Sequence, residues 1–160
     1  MFATGPIAFH TILSLIAIVA GACVILAMSK GRSPDYWTLA FLVSMIATDV
    51  TGFLLPAPKF LPSHLFGILS LAAIAIALLA HYAFHFAGAW RAIYAIAMGI
   101  AIYLNFFVLV TQLFVKVVPD SLKLPTPDTP TPPFLIVQLI VLAIVVWLIW
   151  KSVKNFRPAA

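Results

Sequence analysis

Five long apolar runs leave this chain little choice of environment. They extend from about Ile7 to Met28, Tyr36 to Leu55, Ser63 to Ala87, Trp90 to Val118 and Phe134 to Val153. A helix needs about 20 apolar residues to cross the hydrocarbon core of a bilayer. In lipid every backbone N–H and C=O must be satisfied within the segment, which selects helices over open strands. The expectation is an all-α polytopic transmembrane helical bundle of five spans, a single domain over residues 1–160, with the lipid bilayer as its main partner. Composition agrees, because 64% of the residues are hydrophobic and only 8% charged. A soluble domain carries about a quarter charged residues.

The breaks between the runs carry ordinary stop signals: SKGRSPD, PAPKFLP, the short AGAW turn, and the proline-rich PDSLKLPTPDTPTPP. The last should be stiff and extended. Threading the runs back and forth puts Lys30, Arg32, Arg91, Lys151, Lys154 and Arg157 on one side, and Lys59, Lys116 and Lys123 on the other. The richer side is expected to be cytoplasmic, which places the N-terminus outside and the C-terminus inside a bacterial inner membrane. Trp37, Trp90, Trp147 and Trp150 fall near the same inner boundary, where indole rings favour the headgroups. The net charge of +5 is therefore topology. No basic run with interleaved aromatics suggests nucleic-acid binding. Asp35 has Lys30 and Arg32 as neighbours in the inner loop. The single cysteine, Cys23, allows no internal disulfide and reads as a small packing residue.

Polar residues inside the runs are few, and they gather at one end. His10, Asp49, His64, Asn105, Gln112 and Gln138 come from five different runs yet land in the same, outer leaflet. A polar side chain in hydrocarbon is costly, so it tends to be paired or functional. On the first helix His10, Ser14, Ala17 and Gly21 share one stripe, whose small residues allow close helix approach. On the second, Ser44, Thr48 and Gly52 form a similar stripe beside Asp49. On the fourth, Arg91, Met98, Asn105 and Gln112 recur at heptad spacing. Residues from all five helices are thus expected around one outer-leaflet site.

His10 and His64 are the central pair. Two imidazoles at similar depth on different helices suit the axial positions of a b-type haem. They also suit a metal ion with Asp49 as third ligand. The plainer alternative is two interfacial histidines bonded to backbone or neighbours. Asp49 is the one acid well inside the hydrocarbon region. It should be protonated, or bonded to His10, His64, Asn105 or Gln112, and it reads either as a proton-exchanging group or as an interhelical hydrogen bond. Asn105, Gln112 and Gln138 are also common helix-to-helix glue. His81 and His85 stand at i and i+4 on the third helix, on one side of it, so they cannot flank a second porphyrin. Ser63 beside His64 is no nucleophile–base pair, because adjacent helical residues point apart.

The run AFHTILSLIAIVAGACVILAMSKGR, the segment FLPSHLFGILSL and the segment GAWRAIYAIAMGIAIYLNFF together resemble an uncharacterised bacterial family of small multi-span membrane proteins. The resemblance covers roughly Ala8 to Gln112. It implies that His10 and His64 are family positions. Two further histidines that the pattern would carry are replaced here, one by Asp35–Trp37 and one by Gly88–Arg91. The resemblance supplies no activity.

Three functions follow from these residues. The first is a small electron-transfer protein holding haem b or a quinone through His10 and His64, with Asp49 exchanging protons and Asn105 and Gln112 lining the site. The second is an accessory subunit of a larger membrane complex, with protein partners or copies of itself bound by the loops. The third is a proton-coupled carrier or small-ligand binding protein. No serine–histidine–acid set or phosphate-binding glycine loop points to an enzyme reaction.

Overall fold

The computed structural model describes residues 5–33, 35–55, 62–125 and 129–158. It is helical throughout, with no strand among the described residues. The helices are α1 (Gly5–Ser29), α2 (Asp35–Leu54), α3 (Pro62–Leu78), α4 (Trp90–Lys116) and α5 (Pro132–Asn155). A single π-helical turn, Leu79–Ala83, extends α3. Five segments are long and apolar enough to cross a membrane. Lys59 lies outside the described residues, as do the side chain of Ser63 and residues 126–128 of the proline-rich break.

Neighbouring helices form a ring. α1 packs on α2, α2 on α3, α3 on α4, and α4 closes back on α1. The most extensive packing joins α1 with α2, α3 with α4, and α4 with α5. α5 stands outside this ring and covers the groove between α1 and α4. Small residues set these distances. A Cβ on Gly21 would come within 3.1 Å of the Phe41 ring and 3.2 Å of Ile102, so α1 approaches both neighbours there. A Cβ on Gly99 would run into Ile149, so α5 lies directly against α4. The core built on these contacts includes Ala17, Val24, Met28, Phe41, Met98 and Ile102. It fills the half of the bundle that holds the C-terminus of α1.

That end is tied together by polar contacts. Arg91 Nη1 donates to the Phe156 carbonyl at 2.6 Å, and Asn155 Nδ2 donates to the Ser29 carbonyl at 2.8 Å. Gly31 turns the chain with φ 78°, a left-handed conformation that glycine adopts without steric cost. Asp35 does not pair with Lys30 or Arg32. It accepts a hydrogen bond from Ser33 Oγ at 2.9 Å instead.

The third span ends earlier than its apolar run. The helix loosens into the π turn, and the chain then reverses through His85 (φ 46°), Phe86 (φ 58°) and Gly88 (φ 53°). His85 therefore leaves the helix, and the i, i+4 relation with His81 is lost. Aromatic stacking holds the turn. Phe84 lies on Trp90 at 3.8 Å, and His81 sits between Tyr82 and Phe86 at 4.5 and 4.8 Å.

The described part of the proline-rich break is also not extended at its start. Leu122 N–H donates to the Pro119 carbonyl at 2.8 Å, and Leu124 N–H donates to the Phe114 carbonyl at 3.1 Å. Leu124 is buried against Phe114 and Phe134. Burial of one leucine folds the break back onto α4, and proline stiffness does not prevent it.

Candidate functional site

A cavity of about 500 Å³ opens at the end of the bundle that holds the N-terminus of α1. His10, Asp49, His64, Asn105 and Gln112 all line it. They come from four helices, not five. Gln138 on α5 does not reach the cavity. Its Nε2 donates to the Phe107 carbonyl at 3.0 Å, which ties α5 to the back of α4. Depth along the span gives Gln138 the right level, but the side chain lies on the other side of α4.

The upper wall is built around His10. Its Nδ1 lies 3.0 Å from Thr51 Oγ1. The Thr51 hydroxyl hydrogen is already committed to α2 carbonyls, that of Ala47 at 2.7 Å and, less closely, Thr48 at 3.1 Å. Thr51 can therefore only accept from the ring, so Nδ1 carries the hydrogen. In the neutral ring Nε2 is then the free lone pair. Gly52 makes room for this ring, because a Cβ there would stand 3.3 Å from His10 Cε1. His64 stacks on Phe53 at 5.5 Å between centroids and 16° between planes. Phe53 in turn lies over Gly67, where a Cβ would meet its ring at 3.3 Å.

The floor is polar and buried. Asp49 and Asn105 are 9% and 4% exposed, and Ser70 is 1% exposed. Ser14 Oγ donates to Asn105 Oδ1 at 3.3 Å, which closes the α1–α4 seam at this level. Asn105 Nδ2 is left with no acceptor, and Asp49 Oδ2 and Ser70 Oγ likewise make no hydrogen bond. Ser70 faces Asp49, but neither atom completes a bond of good geometry. Each such orphan costs about 1–3 kcal/mol. All three atoms are closed off from solvent on residues that line the cavity, so a ligand there meets them once these side chains turn toward it.

Asp49 does not bond to His10, which meets Thr51 and the Thr48 backbone, or to Asn105, which accepts from Ser14. Among the described residues no three of His, Cys, Asp or Glu group closely enough to hold a metal ion. His10, His64 and Asp49 do not draw together into such a group in this structure. The remaining walls are apolar, contributed by Leu15, Met45, Phe66, Leu104 and Leu109 among others. Lys116 and Gln112 stand at the rim, both exposed.

Sequence reasoning did not single out Ser70, Thr51 or Gly67, and read Lys116 only as a topology marker. A serine or glycine in a spanning helix is usually a packing residue. Only the azimuth of its helix shows that it faces a cavity. No family model, no curated protein and no solved structure matches the chain.

Proposed function

We propose that this protein binds the ring of a membrane quinone in the cavity and exchanges protons with it, as a small component of an electron-transfer system. The carrying observation is the buried floor, where Asp49 Oδ2, Ser70 Oγ and Asn105 Nδ2 have no protein partners beneath apolar walls. A flat ring with oxygens at opposite edges answers that demand. Asn105 Nδ2 and Ser70 Oγ donate to one ring oxygen. His10 Nε2, freed by the Thr51 bond, faces the exchange of a proton at the reduced ring. Asp49 takes or returns the second. Electrons come from and go to a separate redox protein.

The chain sits in a bacterial cytoplasmic membrane with its N-terminus and the cavity mouth on the periplasmic side. The bias of basic residues supports this: Lys30, Arg32, Arg91, Lys151, Lys154 and Arg157 gather at the far end. Two of them lie over tryptophan rings at the same end, Lys151 at 4.6 Å from Trp147 and Lys154 at 3.8 Å from Trp150. The motifs around His10 and His64 support a likeness to small uncharacterised bacterial membrane proteins.

One observation favours a second reading, haem b. His10 has its Nδ1 held and its Nε2 free, as an axial ligand requires. A porphyrin face, however, offers nothing to the three orphan atoms. Visible spectra and organic extraction of protein purified from its own membrane separate the two. The quinone reading expects an extracted quinone, no Soret band, and weaker retention in Asn105→Leu. A Soret band lost in His10→Ala would establish haem. If no quinone is extracted and added decylbenzoquinone does not bind, the quinone reading is wrong.

A further inference from the structure

The α1–α4 seam is closed in one half and open in the other. Below the Ser14–Asn105 bond the two helices touch, with Gly21 against Ile102. α5 meets α1 in that half, where Asn155 Nδ2 donates to the Ser29 carbonyl and Ala22, Ile25, Val145 and Leu148 line one small apolar groove. Above that bond α5 turns its buried side chains, Phe134 and Gln138, toward α4. The upper part of α1 is held by α2 through the His10–Thr51 contact. On the free side, Ile7, Thr11 and Leu15 recur every four residues along α1. Leu109, Leu113 and Val117 do the same along α4. All six line the cavity, and five are exposed, Leu15 by 49% and Val117 by 70%. An i, i+4 row is one strip of a helix surface. The cavity thus continues sideways into an apolar slot between two such strips, at the depth of lipid tails.

We infer that the slot is a lateral portal, and that the ligand is a lipid-dissolved amphiphile whose apolar tail lies between the α1 and α4 strips while its ring rests on Asn105, Ser70 and Asp49. This rests on the quinone reading above for the ring and adds the tail and the route. The occupant is a tail because the slot is continuous with a polar floor that no acyl chain can satisfy. A water-soluble ligand gains nothing from a wall of leucine and valine. Lys116 at the rim can reach the headgroup level without entering the slot.

Two probes and one variant test it, with the full chain in lipid nanodiscs. Decylbenzoquinone and the same ring without its alkyl tail are titrated, with affinities expressed per bilayer concentration. Lipid already solvates the tail, so on this scale the slot adds only packing, and the tailed ring should bind several-fold tighter than the tailless one. In Leu113→Trp/Val117→Trp the slot is filled from the α4 side at its outer end, roughly two turns or more from Asn105. The tailed ring should then lose that several-fold advantage, with the tailless ring unchanged, which also shows that the variant is folded. Equal binding of the tailed ring by wild type and the filled variant overturns the portal and leaves the ring site standing. Failure of both rings to bind wild type overturns the ring site, and the portal with it. A further variant needs no ligand. Leu113→Trp, in a background with Trp37, Trp90, Trp147 and Trp150 replaced by phenylalanine, should be quenched by lipids brominated on their tails, whereas an unquenched indole would mean that the seam is shut to lipid.

Discussion

Ser14 and Asn105 meet at 3.3 Å through the amide oxygen, which leaves the amide nitrogen buried with no acceptor. The two ends of one side chain therefore have opposite consequences. Ser14→Ala strips the partner from Oδ1 and should destabilise the bundle by about 0.5–1 kcal/mol. Asn105→Leu removes the bonded and the orphaned atom together, so it should be close to neutral for stability. It should still weaken ring binding by up to about tenfold, the worth of one hydrogen bond. Unfolding in mixed detergent, paired with decylbenzoquinone titration, separates the effects. An Asn105→Leu protein that binds as wild type would remove Asn105 from the site.

Thr51 fixes which nitrogen of His10 faces the cavity. Thr51→Val keeps the volume and deletes the acceptor for Nδ1. The ring should then sample both tautomers, and ring binding should weaken several-fold. Thr51→Ser should restore it. Nitrogen chemical shifts of labelled histidine report the tautomer directly: wild type should show one protonated Nδ1, and Thr51→Val a mixture. A wild-type ring protonated on Nε2 would reverse the assignment.

The residues that line the cavity were partly legible because hydrocarbon makes polarity conspicuous. An aspartate or asparagine in an apolar run stands out wherever it points, so Asp49 and Asn105 could be read from the chain. Ser70 and Gly67 could not, since small residues serve every kind of helix contact. Depth was legible from counting residues along a span. Azimuth was not, and Gln138 shows the difference, because α5 packs outside the ring and turns this side chain to the back of α4. The end of α3 was illegible for another reason. His85 and Phe86 adopt left-handed backbone conformations that their residue types do not announce, held by ring stacking that only the folded chain supplies.

Asp120 and Lys123, in the turn after α4, lie 2.7 Å apart and are the one ion pair among the described residues. The hydrogen bond from Lys123, and then its charge, hold the Asp120 carboxyl below its ordinary value. A lowered folded value means that any stabilisation is present above the ordinary carboxylate range and lost as pH falls through the lowered value. Both groups are solvent-screened, so the effect on global stability should be too small to measure. A carboxyl NMR titration should place the Asp120 midpoint below that of a free aspartate, and Lys123→Ala should return it. An unchanged midpoint in that variant would show that the contact is not kept in solution.

Gly99 decides how close α5 comes to α4. Gly99→Ala sets a Cβ into the Ile149 side chain. Overpacking of this kind costs about 1–3 kcal/mol, partly relieved if the isoleucine turns. The double variant Gly99→Ala/Ile149→Ala should recover much of the loss by giving the new methyl space. Because α5 lies outside the ring, ring binding at the cavity should hardly change in either protein. Unfolding curves and ligand titration on the same samples check both halves. No recovery in the double variant would mean that Gly99 acts through something other than this contact.

Asp49 tests the proton chemistry apart from the binding. Asp49→Asn keeps the shape but cannot release or accept a carboxyl proton. The oxidised ring needs hydrogen-bond donors, and the new amide can supply one, so its affinity should hold within a few-fold. Reduction of the bound ring takes up protons, and the variant has lost one acceptor for them. The ratio of bound quinol to quinone at fixed potential should therefore vary less steeply with pH than in wild type. The readout is ultraviolet absorbance of the bound ring across a pH series, compared with Ser70→Ala, which removes a donor but no proton-exchanging group. Ser70→Ala should lower affinity and keep the wild-type pH slope. If Asp49→Asn also keeps that slope, the carboxyl takes no part in proton exchange and serves the cavity only as a hydrogen-bonding wall.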